Sequence, residues 1–175
     1  MSDRLDRVWV GQVRYTAPVR QWLQASDHYI GNAPPGCLYA VGVQESARGL
    51  CGLEVGVGPL LGLCLVSRPV ARMLPQDGSM GEVTRLWLDP RCPYATASRV
   101  LKVAAEIGQA RGMDALISYH RRDRHSGCIY RKTGFRKWGV VKPPVGAGWG
   151  SRDRSSATIR EQRHGKRRWR LDLQP

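Results

Sequence analysis

The stretch Ala115-Leu-Ile-Ser-Tyr119, followed by Arg121 to His125 and then by Cys128-Ile-Tyr-Arg-Lys-Thr-Gly134-Phe135, decides how this chain is read. Its first part is an apolar run of strand length and its middle is dense in ionisable side chains. Its last part is a short helix that stops at a glycine before a further strand. Polar chemistry at the carboxyl end of an apolar strand, with a helix opening just behind it, is where α/β proteins place their ligands.

Outward from this stretch, apolar runs and breakers define the remaining elements. Ala95 to Arg111 carries apolar or small residues at 97, 100, 101, 104, 107 and 108, which is helical spacing, and Gly112 stops it. Glu82-Val-Thr-Arg-Leu-Trp-Leu88 is a strand closed by Asp89-Pro90. Strands are also expected at Arg7 to Val13, Cys37 to Val43, Cys51 to Val57 and Leu60 to Val66, with Gly49, Gly58 and Pro59 as punctuation. A short helix covers Pro18 to Asp27, with Trp22 and Leu23 facing inward. Gly134 to Val141 and Arg167 to Leu173 complete the set, and Lys142 to Arg154 is a long Pro- and Gly-containing loop. The expectation is a single α/β domain over residues 1–175, a mixed central sheet flanked by helices, with a basic C-terminal region at 121–170.

At 175 residues and 42% apolar, the chain suits one domain with a real core. It has no apolar run of about 18 residues, and its amino terminus is charged, so a soluble, cytoplasmic protein without a membrane partner is expected. The five cysteines are scattered, and most are expected to be small buried hydrophobes. Charge is unevenly placed: residues 1–120 hold 12 Lys and Arg against 10 Asp and Glu, while residues 121–170 hold 16 against 3. Such asymmetry is the footprint of a polyanion binder, because each neutralised phosphate releases condensed counterions; a solvated basic tail is the plainer alternative. Arg152, Arg154, Arg160, Arg163, Lys166, Arg167, Arg168 and Arg170 surround Trp149 and Trp169, a mixture of phosphate contacts and stacking surfaces.

The order of elements, with Ile129-Tyr130-Arg-Lys-Thr-Gly134-Phe135, resembles the GCN5-related N-acetyltransferase fold. In that family the corresponding tyrosine lies beside the leaving thiolate of acyl-CoA, and a Gly-rich turn before the long helix cradles the pyrophosphate. The turn here, Asp89-Pro-Arg-Cys-Pro-Tyr-Ala-Thr-Ala-Ser98, has no glycine. A narrower resemblance accounts for the departure. His28-Tyr29, Arg85-Leu-Trp-Leu-Asp89, Ser98, Ser118-Tyr119 with Asp123 beyond, His125-x-Gly127-x-Ile-Tyr130 and Lys166-Arg-Arg-Trp169 together resemble the Mom proteins of Mu-like phages. That family uses a modified acyltransferase fold to convert adenine in DNA to its N6-carbamoylmethyl form, which protects the DNA from restriction.

The resemblance implies a transferase acting on double-stranded DNA, with an acyl-CoA or glycine-derived donor and with iron as a candidate ion. It puts Asp123, Tyr29, Tyr130 and Ser98 at the reacting centre, and His28, Arg85, Tyr119, Arg121, Arg122, Arg124, His125 and Lys166 to Trp169 against substrate or DNA. Each has a structural alternative. Asp123 orients the amine or pairs with neighbouring arginines, which would weaken it as a base. Tyr130 is a proton donor or a core aromatic, Trp87 a stacking platform or core, and Ser98 a donor contact or a helix cap. His28 and His125, with His120 and Asp123, hold a metal only if they converge. Since N6 is engaged in Watson-Crick pairing, the base would be flipped and stacked on an aromatic such as Tyr29, Trp87 or Tyr119. An acyl-CoA-dependent transferase acting on a modified base, tRNA or a basic protein, and a non-catalytic nucleic-acid-binding module, are the other readings. The residues do not fix the oligomeric state, and a homodimer is one arrangement.

Overall fold

The computed structural model describes residues 5, 7–26, 33–49, 51–122, 125–141 and 166–173. The elements run β1 (Val8–Val13), α1 (Ala17–Ala25), β2 (Tyr39–Arg48), β3 (Glu54–Ser67), β4 (Met80–Leu88), α2 (Thr96–Ala110), β5 (Ala115–Arg121), α3 (Cys128–Lys132), β6 (Arg136–Val141) and β7 (Lys166–Asp172). The strands form one sheet in the order β1-β2-β3-β4-β5-β7-β6. All neighbouring pairs are antiparallel except β4 with β5.

Two of three apolar clusters join the helices to the sheet. On one face, α2 lays Val100, Leu101 and Ala104 on Val41, Val43, Cys64, Val66 and Leu116. The helical spacing of those residues supplies one apolar stripe, and burying it stabilises the layer by about 25 cal/mol per Å² of apolar area. The Tyr39 hydroxyl donates to the Ala104 carbonyl at 2.7 Å, tying α2 to β2. On the other face, α1 packs Leu23, Val19 and Trp22 over Ala40, Leu63, Leu65 and Trp87. Trp22 meets Trp87 edge to face, with centroids 5.2 Å apart.

Two sequence expectations are corrected here. The segments 51–57 and 60–66, expected as separate strands, form one long strand, β3. The pairing still breaks around the glycine and proline, stepping from Val43↔Gly62 to Glu45↔Val57, so that residues 58–61 of β3 stand against Gln44 alone. Pro59, which has no N–H to donate, sits within that step, and the Gln44 amide satisfies the Gly58 carbonyl at 2.7 Å. Of the cysteines, Cys64 alone is buried, while Cys51 and Cys128 are exposed and Cys37 and Cys92 are half-buried.

The sheet is split at its parallel pair. β4 and β5 are paired from Met80↔Ala115 to Val83↔Ser118. Beyond Val83, β4 continues beside β3, and beyond Ser118, β5 continues beside β7. The parting point coincides with a bulge: β3 pairs Val66 with Val83 and Leu65 with Arg85, so Thr84 is an extra residue on β4. A bulge bends its strand and sharpens the local twist. The result is a wedge between two strands, floored by the core.

Candidate functional site around the strand wedge

Side chains alternate across each strand, so the wedge has a different lining on each face. On the α2 and α3 face, a cavity of about 300 Å³ is lined by Val83, Leu86, Ser118, His120, His125 and Tyr130, among others. On the opposite face, a cavity of about 600 Å³ is lined by Glu82, Arg85, Tyr119, Arg121, Lys166 and Arg168, with Val70 and Val141 at its margins. Val83, Thr84, Arg85 and Tyr119 border both.

The smaller cavity holds a neutral polar network on an aromatic stack. The Ser118 hydroxyl donates to the Tyr130 hydroxyl at 2.9 Å. The Trp169 indole Nε1–H donates to His120 Nδ1 at 2.6 Å. His120, Tyr130 and Trp169 lie nearly parallel, with centroids 5.4 to 5.8 Å apart. Gly127 makes this possible: its φ is +73°, and a Cβ there would lie 2.6 Å from the Trp169 ring and 2.7 Å from His120. His120 is 3% exposed. Burial first, and then the positive charge of Arg167, His125, Arg131 and Arg122, push its pKa down to about 4.

The larger cavity is cationic and contains one buried acid. Glu82 is 7% exposed and accepts the Val70 N–H at 2.9 Å. Burial raises its pKa above the ordinary value, although the Val70 hydrogen bond, Lys166 and Arg85 oppose the shift. The Arg168 guanidinium lies 3.9 Å from the Trp138 ring centroid and donates to the Trp138 carbonyl. Burial and the nearby Glu82 raise the Tyr119 pKa, and a hydrogen bond with Arg168 opposes them. Arg121 is itself buried.

Among the expected site residues, Arg85, Tyr119, Arg121, Lys166 and Arg168 therefore converge on the larger cavity, and His125 and Tyr130 on the smaller. Tyr130 is both a core aromatic and a cavity wall, being 6% exposed. Arg122 is exposed, and Arg167 lies on the His120 side of β7. Trp169 corrects its expectation: it is 1% exposed and lies beneath the smaller cavity, so its ring cannot stack on a nucleotide. Ser98 does not cap α2, since the capping position is Ala95, and Ser98 lines neither cavity at the wedge. Trp87 is half-buried against α1. His28, Tyr29, Asp123, Arg124, Trp149, Arg152, Arg154, Arg160 and Arg163 lie outside the described residues. Glu82 was missed as a site residue; its one signal in the sequence is the single carboxylate in a largely apolar strand.

Neither implied group finds a complete set of ligands. Among the described residues, no three His, Cys, Asp or Glu side chains come together to hold a metal. His120 is excluded as a ligand in this geometry, because the indole N–H occupies Nδ1 and the neutral ring then carries its proton on Nε2. The turn before α2 is also poor in free amides for a diphosphate. Pro90 and Pro93 have none, and the amides of Arg91, Cys92 and Thr96 donate to Asp89 Oδ1, the Asp89 carbonyl and the Pro93 carbonyl. The Asp89 carboxylate stands in the same turn, paired with Arg91 at 2.9 Å.

The fold is shared with acetyltransferases of known structure. An N-acetyltransferase from Staphylococcus aureus Mu50 matches with a TM-score of 0.62 at 13% identity, covering 97% of this chain and 100% of that one. A GNAT-family acetyltransferase from Streptococcus pneumoniae matches at 0.61 and 12% identity, covering 96% and 100%. The ribosomal-protein-S18-alanine N-acetyltransferase from Escherichia coli matches at 0.58 and 9% identity, covering 97% and 96%. No curated protein matches the chain significantly in sequence. The profile of the Mom protein family matches residues 12–172, from β1 through β7 and thus across both walls of the wedge, and the chain belongs to that family.

Proposed function

We propose that this protein modifies the N6 amine of adenine in double-stranded DNA, giving the N6-carbamoylmethyl base and so shielding the DNA from restriction. The observation that carries this reading is the buried Glu82 carboxylate inside a cationic cavity on one side of the wedge, in a chain matched over nearly its whole length by the Mom family.

The cavity's volume, about 600 Å³, lies in the range of small-molecule sites and accommodates a flipped base. Lys166, Arg168 and Arg85 supply charge for the flanking phosphates, and Tyr119 supplies a face for the base. The N6 nitrogen forms a bond to the donor carbon as that carbon parts from its leaving group. The N6 proton passes to the Glu82 carboxylate and then to water. A carboxylate whose pKa is raised by burial is a better base near neutrality than an exposed one. The donor's reacting end occupies the smaller cavity, where Ser118, Tyr130 and His120 present polar groups. Asp123 and Tyr29 keep the roles that the resemblance implies.

The test is mass spectrometry of nucleosides from DNA of cells expressing the protein, alongside cells expressing Glu82→Gln or Asp123→Ala. A deoxyadenosine heavier by a carbamoylmethyl group, lost in the variants, is expected. Unmodified DNA beside folded wild-type protein overturns the reading. A second reading, acyl-CoA-dependent transfer to another amine, is favoured by the split parallel pair and the acetyltransferase fold. Coenzyme A retained on the purified protein, with unmodified DNA, would select it.

A further inference from the structure

His120 is a buried polar side chain at the wall of the smaller cavity, and only one of its nitrogens is accounted for. Nδ1 accepts from Trp169 at 2.6 Å. Tryptophan's indole nitrogen is a donor only, so this bond fixes which tautomer a neutral His120 adopts: the proton is on Nε2. Nε2 makes no hydrogen bond to a described residue, yet no buried side-chain nitrogen or oxygen among the described residues lacks a partner. Nε2 is therefore the edge of the ring that reaches open space, and the space His120 lines is the smaller cavity. The ring cannot turn to use its other edge, since it packs against both Tyr130 and Trp169, which also touch each other, and is closed off at Cε1 by Gly127.

From this geometry we infer that His120 is a neutral hydrogen-bond donor whose Nε2–H binds the carbonyl oxygen of the transferred group, with Trp169 as the residue that positions it. The inference rests on the transferase reading above and adds to it the donor-side contact. A neutral N–H aimed in advance at that carbonyl holds the carbamoyl end in place, and so sets the adjoining methylene carbon before the N6 amine, without a proton being moved. It also binds the donor without serving as a base, because the Nε2 lone pair is not available. The charged or titratable groups that face the ring are Arg167 from β7, His125 from the loop before α3, Arg131 from α3 and Arg122 from the turn after β5. They disfavour the imidazolium, as burial does, and keep the donor neutral across the working pH range.

Two measurements test this. In protein labelled with ¹⁵N-histidine, long-range proton–nitrogen correlations between pH 5.5 and 8 should show His120 protonated at Nε2 and bare at Nδ1 throughout. Glycinamide, added as a carbonyl probe, should move the Nε2–H resonance downfield whether or not DNA is modified. An Nδ1–H tautomer, an imidazolium at pH 7, or an Nε2–H indifferent to glycinamide overturns the inference. In cells, the double variant His120→Phe/Trp169→Phe keeps the ring stack and leaves no unpaired buried donor. It should lower modification about a hundredfold through loss of donor positioning while DNA affinity stays unchanged. Undiminished modification by the folded double variant also overturns it. Wild-type protein that leaves DNA unmodified sinks the proposed function instead, and the glycinamide titration is then read on its own.

Discussion

The two sides of the wedge differ in how they handle polarity. The α3 side buries uncharged groups that satisfy one another in pairs, Ser118 with Tyr130 and Trp169 with His120, and leaves its cations at the rim. The opposite side buries charge itself, an acid and an arginine in one cationic cavity. Desolvation acts on both, but with opposite consequences for titration, raising the Glu82 pKa and lowering that of His120. Groups whose environments push their pKa values in opposite directions mark out complementary roles. Here the carboxylate is tuned toward taking a proton, and the imidazole is barred from doing so.

The largest expected effect breaks the charged side. Glu82→Gln should reduce nucleoside modification by about 10²- to 10⁴-fold, the range for loss of a general base, measured by mass spectrometry. The same variant sharpens the comparison through stability. The folded pKa of Glu82 lies above its ordinary 4.5, so ionising it costs folding free energy. That cost is absent below pH 4.5 and grows as pH rises through the folded pKa, so Glu82→Gln should melt higher than wild type at pH 8 and no higher at pH 4. A melting temperature unchanged at both pH values would count against a desolvated carboxylate.

On the neutral side, pH is the probe. His120 is held near pKa 4 against an ordinary 6.5, so its contribution is complete above pH 6.5 and is lost as pH falls toward 4. The loss should reach about 3 kcal/mol, read as the difference between wild type and the double Phe variant in denaturant titrations at pH 7 and pH 4. Next in size is Gly127→Ala, which combines a left-handed backbone with a clash against the ring stack. It should cost about 1–3 kcal/mol and depress modification, whereas the same change at exposed Gly52 meets nothing within 4 Å and should spare modification. The smallest effect belongs to the exposed cation of the charged side. Lys166→Ala should weaken DNA binding about evenly across sequences and reduce the salt slope by about one, in fluorescence anisotropy at several salt concentrations.

Much of the fold could be read from periodicity alone. α2 is announced by its 3.6-residue spacing, and β4 and β5 by apolar runs that end at Asp89-Pro90 and at the basic loop. Gly58-Pro59 misled because such pairs normally end a strand, whereas here they only interrupt the pairing with β2, and Gln44 of that neighbour takes up the Gly58 carbonyl. Trp169 misled for a related reason. Within Lys166-Arg-Arg-Trp169 it reads as a stacking surface, but alternation along β7 sets it opposite Ser118, facing the core. Glu82 and His120 were legible as residues but not as partners of a cavity, because their positions depend on which strands are neighbours and where those strands part. Local sequence carries no such information; only the pairing does.

The bulge at Thr84 has a consequence for heredity. The wedge opens at the point where β4 contains one residue more than its pairing with β3 requires. The opening is thus encoded as a length rather than as an identity, so substituting Thr84 by other side chains would leave it in place. Removing that single codon would set Arg85 directly after Val83 and still opposite Leu65, so the facing of the strand would be kept while the bend at the parting point was lost. A reading-frame-preserving deletion is the lesion that probes this length, and a survey of substitutions alone would leave it untested.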